Sequence, residues 1–187
     1  MKVLLVKVLL FDVKKGLFLP ARRKMEAGVQ ASYSPPIGLL YLGRSLEDEG
    51  HSVEVVDFYC EKNPMETLRK SFVSADAVGL SVYTNNYADT AYVAQIIKDH
   101  NPDLPIIIGG PHCTSLLDKA LLDVPAADIG VVGDGEHAIK DVVKALEGTK
   151  KLSEIPGVYY RSNDKIKQGK PPEIIKDLIL YPILHVI

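Results

Sequence analysis

Cysteine is nearly missing from this sequence: two residues, Cys60 and Cys113, occur in 187 positions. They are too few and too isolated for a disulfide framework, a four-cysteine zinc site or an iron–sulfur cluster, and a reducing cytoplasm is the expected location. An excess of charge of one sign is missing too. Lys and Arg number 22 against 24 Asp and Glu, a formal net charge of −2, which leaves no electrostatic footprint for nucleic acid or an anionic membrane. Small-molecule or protein partners are therefore favoured. No apolar run approaches the ~20 residues of a membrane span. The N-terminal run 3–11 is short, is interrupted by Lys7 and lacks a small-residue cleavage site, so it is expected as a buried strand and not a signal peptide.

What is present is the composition of a folded domain, with 47% hydrophobic and 25% charged residues. Residues 3–10 form a β-branched and leucine run without alternation, the mark of a strand covered on both faces. Similar runs return at 53–57, 77–82, 106–109 and 129–133. Between them lie segments of helical period at 37–49, 65–73, 87–100, 115–122 and 136–146. Strand and helix alternating in this way predict a doubly wound α/β domain with a parallel sheet of five strands.

Two places depart from the minimal pattern. The connection after the first strand, about 12–36, is far longer than the ~2–6 residues usual there, and its Arg22, Arg23 and Lys24 offer a basic group to a partner. After the fifth helix, residues 155–161 and 165–168, joined by Ser162-Asn163-Asp164, predict a C-terminal β-hairpin. The expected division is a domain over 1–150, a hairpin extension over 151–170 and a linker over 171–187.

Ligands of an open parallel sheet bind outside the carboxyl ends of its strands. The residues found there are Pro36 and Gly38, then Ser81, Tyr83, Thr84 and Asn85, then Gly109, Gly110, Pro111 and His112, and finally Gly133, Asp134, Gly135 and Glu136. Gly109-Gly110 allows close approach of backbone to a bulky ligand, and equally suits a tight turn. One of Ser81, Thr84, Asn85 and Asn86 is accounted for by capping the helix that starts near Tyr87. At Gly110 a valine is expected to block a ligand while leaving the fold nearly intact.

Several chemistries are disfavoured. The run 133–138 matches a relaxed G-x-G-x-x-A fingerprint, but it follows the last strand, and Asp134 and Glu136 repel phosphate. No G-x-x-x-x-G-K-[ST] loop occurs, and the third strand ends in Ser81-Val82-Tyr83 where a phospho-receiver domain carries its aspartate. His51 and His100 are placed at helix ends, and His112 and His137 have no second ligand at zinc spacing, so no catalytic metal site is expected.

Residues 35–42, Pro-Pro-Ile-Gly-Leu-Leu-Tyr-Leu, with Gly50-His51-Ser52-Val53 through Asp57, resemble the P-P-x-G-L-x-Y-L…G-H-x-V-x-x-x-D segment of cobalamin-binding domains that precede radical S-adenosylmethionine domains. The blocks at 76–81, 108–112, 133–136 and 155–158 agree in order, so the resemblance covers about 3–168. It implies a flavodoxin-like domain, its five parallel strands in the order 2-1-3-4-5, that holds cobalamin at the strand ends with its nucleotide tail entering the sheet edge, flanked by Ser81 and Gly109-Gly110. The D-x-H-x-x-G motif of cobalamin mutases has no counterpart, since residues 12–16 read Asp-Val-Lys-Lys-Gly, and histidine ligation of cobalt is not expected. The C-x-x-x-C-x-x-C run for a [4Fe–4S] cluster is also missing, so the cluster and S-adenosylmethionine are assigned to a C-terminal radical domain outside this chain. The resemblance thus implies the cobalamin module of a methyltransferase or oxidative cyclase, such as the anaerobic magnesium-protoporphyrin ester cyclases, inactive when isolated. The alternative is a cofactor-free interaction or regulatory domain that binds a protein or a small nucleotide with the same loops.

Overall fold

A computed structural model of the chain describes residues 1–8 and 35–172. The body of the long first connection, with residues 12–16 and Arg22-Arg23-Lys24, lies outside the described residues, as does nearly all of the expected linker. In chain order the elements are β1 (Lys2–Lys7), α1 (Ile37–Glu47), β2 (Ser52–Asp57), α2 (Pro64–Phe72), β3 (Ala77–Ser81), α3 (Tyr87–His100), β4 (Ile106–Gly109), α4 (Pro111–Leu116), α5 (Lys119–Asp123), β5 (Ile129–Val131), α6 (Gly135–Leu146), β6 (Val158–Ser162) and β7 (Lys165–Gln168). They build a single sheet in the order β2-β1-β3-β4-β5-β6-β7.

The first five strands are parallel in the expected order. The hairpin is part of the same sheet, because β6 pairs antiparallel with β5 and β7 with β6. The chain leaves β1 toward β2 on one side and returns to β3 on the other, so the topological switch point lies between β1 and β3. The helix expected over 115–122 is two short helices, α4 and α5. They are parted at Leu117, which takes φ +57° and exposes its side chain. A leucine in that left-handed conformation cannot continue a right-handed helix.

Burial on both faces explains why β1 lacks alternation. Leu4 and Val6 join Leu68 and Phe72 of α2, Val93 and Ile97 of α3 and Leu121 of α5 on one side. Val3 and Leu5 join Leu39 and Leu46 of α1 and Ile139, Val142 and Val143 of α6 on the other. Each such side chain contributes ~1.5–3 kcal/mol by leaving water. At their outer ends α1 and α6 are linked by Lys144 Nζ, 3.0 Å from Glu49 Oε2. The face under α1 and α6 is where the packing is interrupted.

Candidate functional site

Strand register aligns two rows across that face. One row runs Val55, Leu5, Gly79, Ile107, Ile129; the next, toward the carboxyl ends, runs Asp57, Lys7, Ser81, Gly109. Side chains two apart on a strand share a face, so the glycines of β3 and β4 open a trough where neighbours would carry bulk. Ile37, Leu39 and Leu42 of α1 and Ile139 of α6 roof it, leaving a cavity of about 240 Å³. It lies at the switch point and extends from the strand ends down to Leu5 and Gly79.

The rim is pinned by backbone geometry. Gly110 has φ +108° and ψ −171°, a region open essentially to glycine alone. A Cβ there would stand 2.9 Å from the carbonyl oxygen of Val82. The expectation that valine at 110 spares the fold is therefore corrected: Gly110 shapes the turn itself. Asn86 is buried, donates from Nδ2 to the Val8 carbonyl at 2.9 Å and accepts the Tyr83 N–H on Oδ1 at 2.8 Å. Its side chain ties the loop after β3 to the end of β1, and it does not cap α3.

Of the expected residues, Pro36, Gly38, Ser81, Tyr83, Gly109, Gly110, Pro111, Gly133, Asp134, Gly135 and Glu136 line the cavity. Thr84, Asn85 and His112 do not. Thr84 and Asn85 are exposed on the loop. His112 is 2% exposed, stacks on Tyr87 with ring centres 5.2 Å apart, and brings Nε2 to 3.0 Å from Asp123 Oδ2. A buried imidazole with these partners is a fastener between α3, α4 and α5. Cys113 beside it is buried, and burial pushes its thiol up to about 12, which leaves it inert as a nucleophile.

The sequence reading missed Leu5, Lys7, Leu39, Leu42, Gly79, Leu80, Ile107, Ile108, Val131 and Ile139. Gly79 carried a signal, since a glycine inside an apolar strand marks a close approach. The others are ordinary core residues whose place on the cavity wall depends on strand register and helix docking. Lys7 Nζ lies 3.5 Å from Asp57 Oδ2 at the mouth.

Glu136, at the start of α6, has its Oε2 buried without a hydrogen-bond partner among the described residues. An unsatisfied buried acceptor costs ~1–3 kcal/mol, and hydrogen bonds normally remove that cost. The trough and this open acceptor suit a ligand with a flat apolar part and neutral donors. At 240 Å³ the cavity is smaller than the ~300–1,000 Å³ of sites that engulf drug-sized ligands, so a large ligand would insert only one part of itself.

Comparison with known proteins agrees. The model of the B12 binding domain matches residues 27–143. An uncharacterized methyltransferase of Pyrococcus horikoshii is 30% identical over 169 residues, covering 89% of this chain and 37% of the relative. The anaerobic magnesium-protoporphyrin IX monomethyl ester cyclase of Synechocystis is 28% identical, covering 80% of this chain and 31% of the relative. This chain therefore spans about a third of the length of those curated relatives. Among solved structures, the radical S-adenosylmethionine methyltransferase TsrM of Kitasatospora setae superposes with TM-score 0.70 at 21% identity, covering 92% of this chain and 30% of TsrM. The cobalamin-dependent S-adenosylmethionine radical enzyme OxsB superposes with TM-score 0.70 at 19% identity, over 92% of this chain and 22% of OxsB. At such identities these structures establish the fold. The cofactor-free alternative finds no support among these relatives.

Proposed function

The chain belongs to the B12-binding domain family, and from that premise we propose that cobalamin is held at the carboxyl edge of its sheet by the residues lining the cavity between β1, β3, β4, α1 and α6. The observation that carries the reading is the glycine trough at the switch point. Leu5 Cδ2 leans over Gly79, 2.7 Å from where a Cβ would stand, whereas a Cβ on Gly109 in the next row would meet nothing nearer than 3.8 Å, and the space left toward the strand ends suits an aromatic base such as the cofactor's nucleotide tail. Ser81 supplies a hydroxyl on the Gly109 row, and the Gly110 and Gly133–Glu136 turns supply backbone close to the ligand. The site's fit rests on this cradle and on the open acceptor of Glu136.

When bound, cobalamin supplies a cobalt centre for group-transfer or redox chemistry. This chain's own residues bind and orient the cofactor. The chain acts as the cobalamin-binding part of a longer enzyme whose radical S-adenosylmethionine domain carries the [4Fe–4S] cluster. Methyl transfer or oxidative cyclisation is the reaction class, and the cytoplasm its location. This reading draws on cobalamin and a [4Fe–4S] cluster bound in TsrM, and cobalamin and S-adenosylmethionine bound in OxsB. Among the described residues no helix is long and apolar enough to cross a membrane. The domain division follows the same reading, with 1–150 and the 151–170 hairpin as the binding unit and 171–187 leading toward the radical domain.

The test is to load the chain with hydroxocobalamin, pass it through a desalting column and record its absorption spectrum and melting temperature. At a hundredfold excess over Kd, binding adds ~2.7 kcal/mol, a rise of about 5–10 °C for a domain of this size. Complete loss of cobalamin on the column together with an unchanged melting temperature at millimolar ligand would overturn the reading.

A further inference from the structure

Glu136 is a polar group on the cavity wall that has not found its partner. Its Oε2 is shielded from solvent and has no partner among the described residues, while Lys144 pairs with Glu49 and Lys150 with Asp141 farther along α6. An acid in the first turn of a helix usually needs no burial, because its interaction with the helix dipole operates at the surface. Here one carboxylate oxygen of a partly buried side chain is shielded, beside Gly135, whose Cβ position would stand 3.1 Å from Leu42 Cδ2 of α1. The close approach of α1 to the start of α6 brings Leu42 and Glu136 to the same cavity wall.

We propose that Glu136 Oε2 accepts a hydrogen bond from a neutral donor of the bound cofactor, a carboxamide N–H or a ribose hydroxyl, and that with Asp134 it keeps the cofactor's phosphate away from the start of α6. This inference rests on the cobalamin reading above and adds to it the group that is recognised. The chemistry follows from charge. An ionised carboxylate accepts and does not donate, so it matches amide and hydroxyl protons. Two acids two positions apart at the start of α6, Asp134 and Glu136, repel an anion that a bare helix N-terminus would otherwise attract. Glu136 therefore selects which part of an extended ligand lies against α6.

The experiment compares the unsubstituted chain with Glu136→Ala and Glu136→Gln by equilibrium titration with hydroxocobalamin and with dicyanocobinamide, which keeps the carboxamides but lacks the nucleotide loop. Ligand-free melting is recorded for all three. Loss of a charge-assisted bond should weaken cobalamin binding about ten- to hundredfold in Glu136→Ala, with Glu136→Gln between because its amide oxygen still accepts. Without ligand, both variants should melt within about 2 °C of the unsubstituted chain or above it, since each removes a shielded carboxylate oxygen that has no partner among the described residues. A parallel loss for cobinamide assigns the donor to a corrin carboxamide, and a loss confined to cobalamin assigns it to the ribose. Cobalamin affinity within twofold of the unsubstituted chain in Glu136→Ala overturns the inference while leaving the cobalamin reading intact. So does an affinity loss matched by a marked drop in ligand-free melting, which is the signature of a packing role. If the unsubstituted chain itself retains no cobalamin, the underlying reading fails, and this inference with it.

Discussion

A methyl group on Gly79 would stand 2.7 Å from Leu5 Cδ2, its parallel neighbour across β1 and β3. The sheet is kept bare at this point because Leu5 already occupies the adjoining space, and the cavity floor is what remains between them. Gly79→Ala is expected to push the Leu5 side chain into the cavity. Overpacking of this kind costs ~1–3 kcal/mol, and cobalamin affinity should fall by at least about tenfold as the base loses its room. Titration with hydroxocobalamin alongside chemical denaturation separates the two effects; unchanged affinity would remove the cavity floor from the site.

Gly109 and Gly110 are adjacent but differ in what they tolerate. A Cβ on Gly109 meets only ordinary contacts at 3.8 Å and beyond, whereas one on Gly110 meets the Val82 carbonyl at 2.9 Å in a glycine-only backbone conformation. Gly109→Val should fold and lose cobalamin. Gly110→Ala should lose ~1–3 kcal/mol of stability whether or not ligand is present. Thermal melts with and without hydroxocobalamin distinguish these outcomes.

His112 and Asp123 hold α4 to α5 from within the fold, 3.0 Å apart. His112→Leu removes this contact and the stacking on Tyr87, and it should cost about 1 kcal/mol of stability, since the partly exposed Asp123 carboxylate is taken up by water. Cobalamin affinity should shift by less than about threefold, since the imidazole lies outside the cavity. An altered cobalt absorption spectrum in this variant would instead bring His112 to the metal.

Asn86→Ala leaves the Val8 carbonyl and the Tyr83 N–H without their present partners. The expected loss is ~2–6 kcal/mol, about twice the usual figure for one buried group, and hydrogen exchange should quicken in the loop after β3. Asn86→Asp keeps the acceptor and should recover part of the loss.

The Glu49 carboxyl is held below its usual 4.5 by a hydrogen bond from Lys144 and by that group's charge. A depressed acid contributes stability above its unfolded value and loses it as pH falls through the folded one. The melting temperatures of the unsubstituted chain and Glu49→Gln should therefore differ slightly at neutral pH and low salt, then converge well below pH 4.5. Both partners are exposed, so 1 M salt should also erase the difference.

The order of strands and helices was legible in the residues themselves. Burial on both faces removes alternation from β1 and β3, and Pro, Gly and Asn punctuate the helices. Most of the strand-end site was legible too, because a parallel sheet places its loops at one edge. What lay beyond the sequence depended on neighbours distant in the chain. Leu5, Ile107 and Ile139 are ordinary core residues until register and helix docking set them around Gly79, and Gly110 reveals its backbone strain only against the Val82 carbonyl. His112 appeared to belong to the ligand edge because its position in the chain says nothing of Asp123 and Tyr87, which turn its ring inward. The hairpin was visible as a local pattern, but its pairing with β5, which extends the sheet, is a long-range contact that local propensity does not specify. Local chemistry thus determined the elements and the edge where a ligand binds. Tertiary packing decided which side chains form the cavity, which serve as fasteners, and which acceptor remains open.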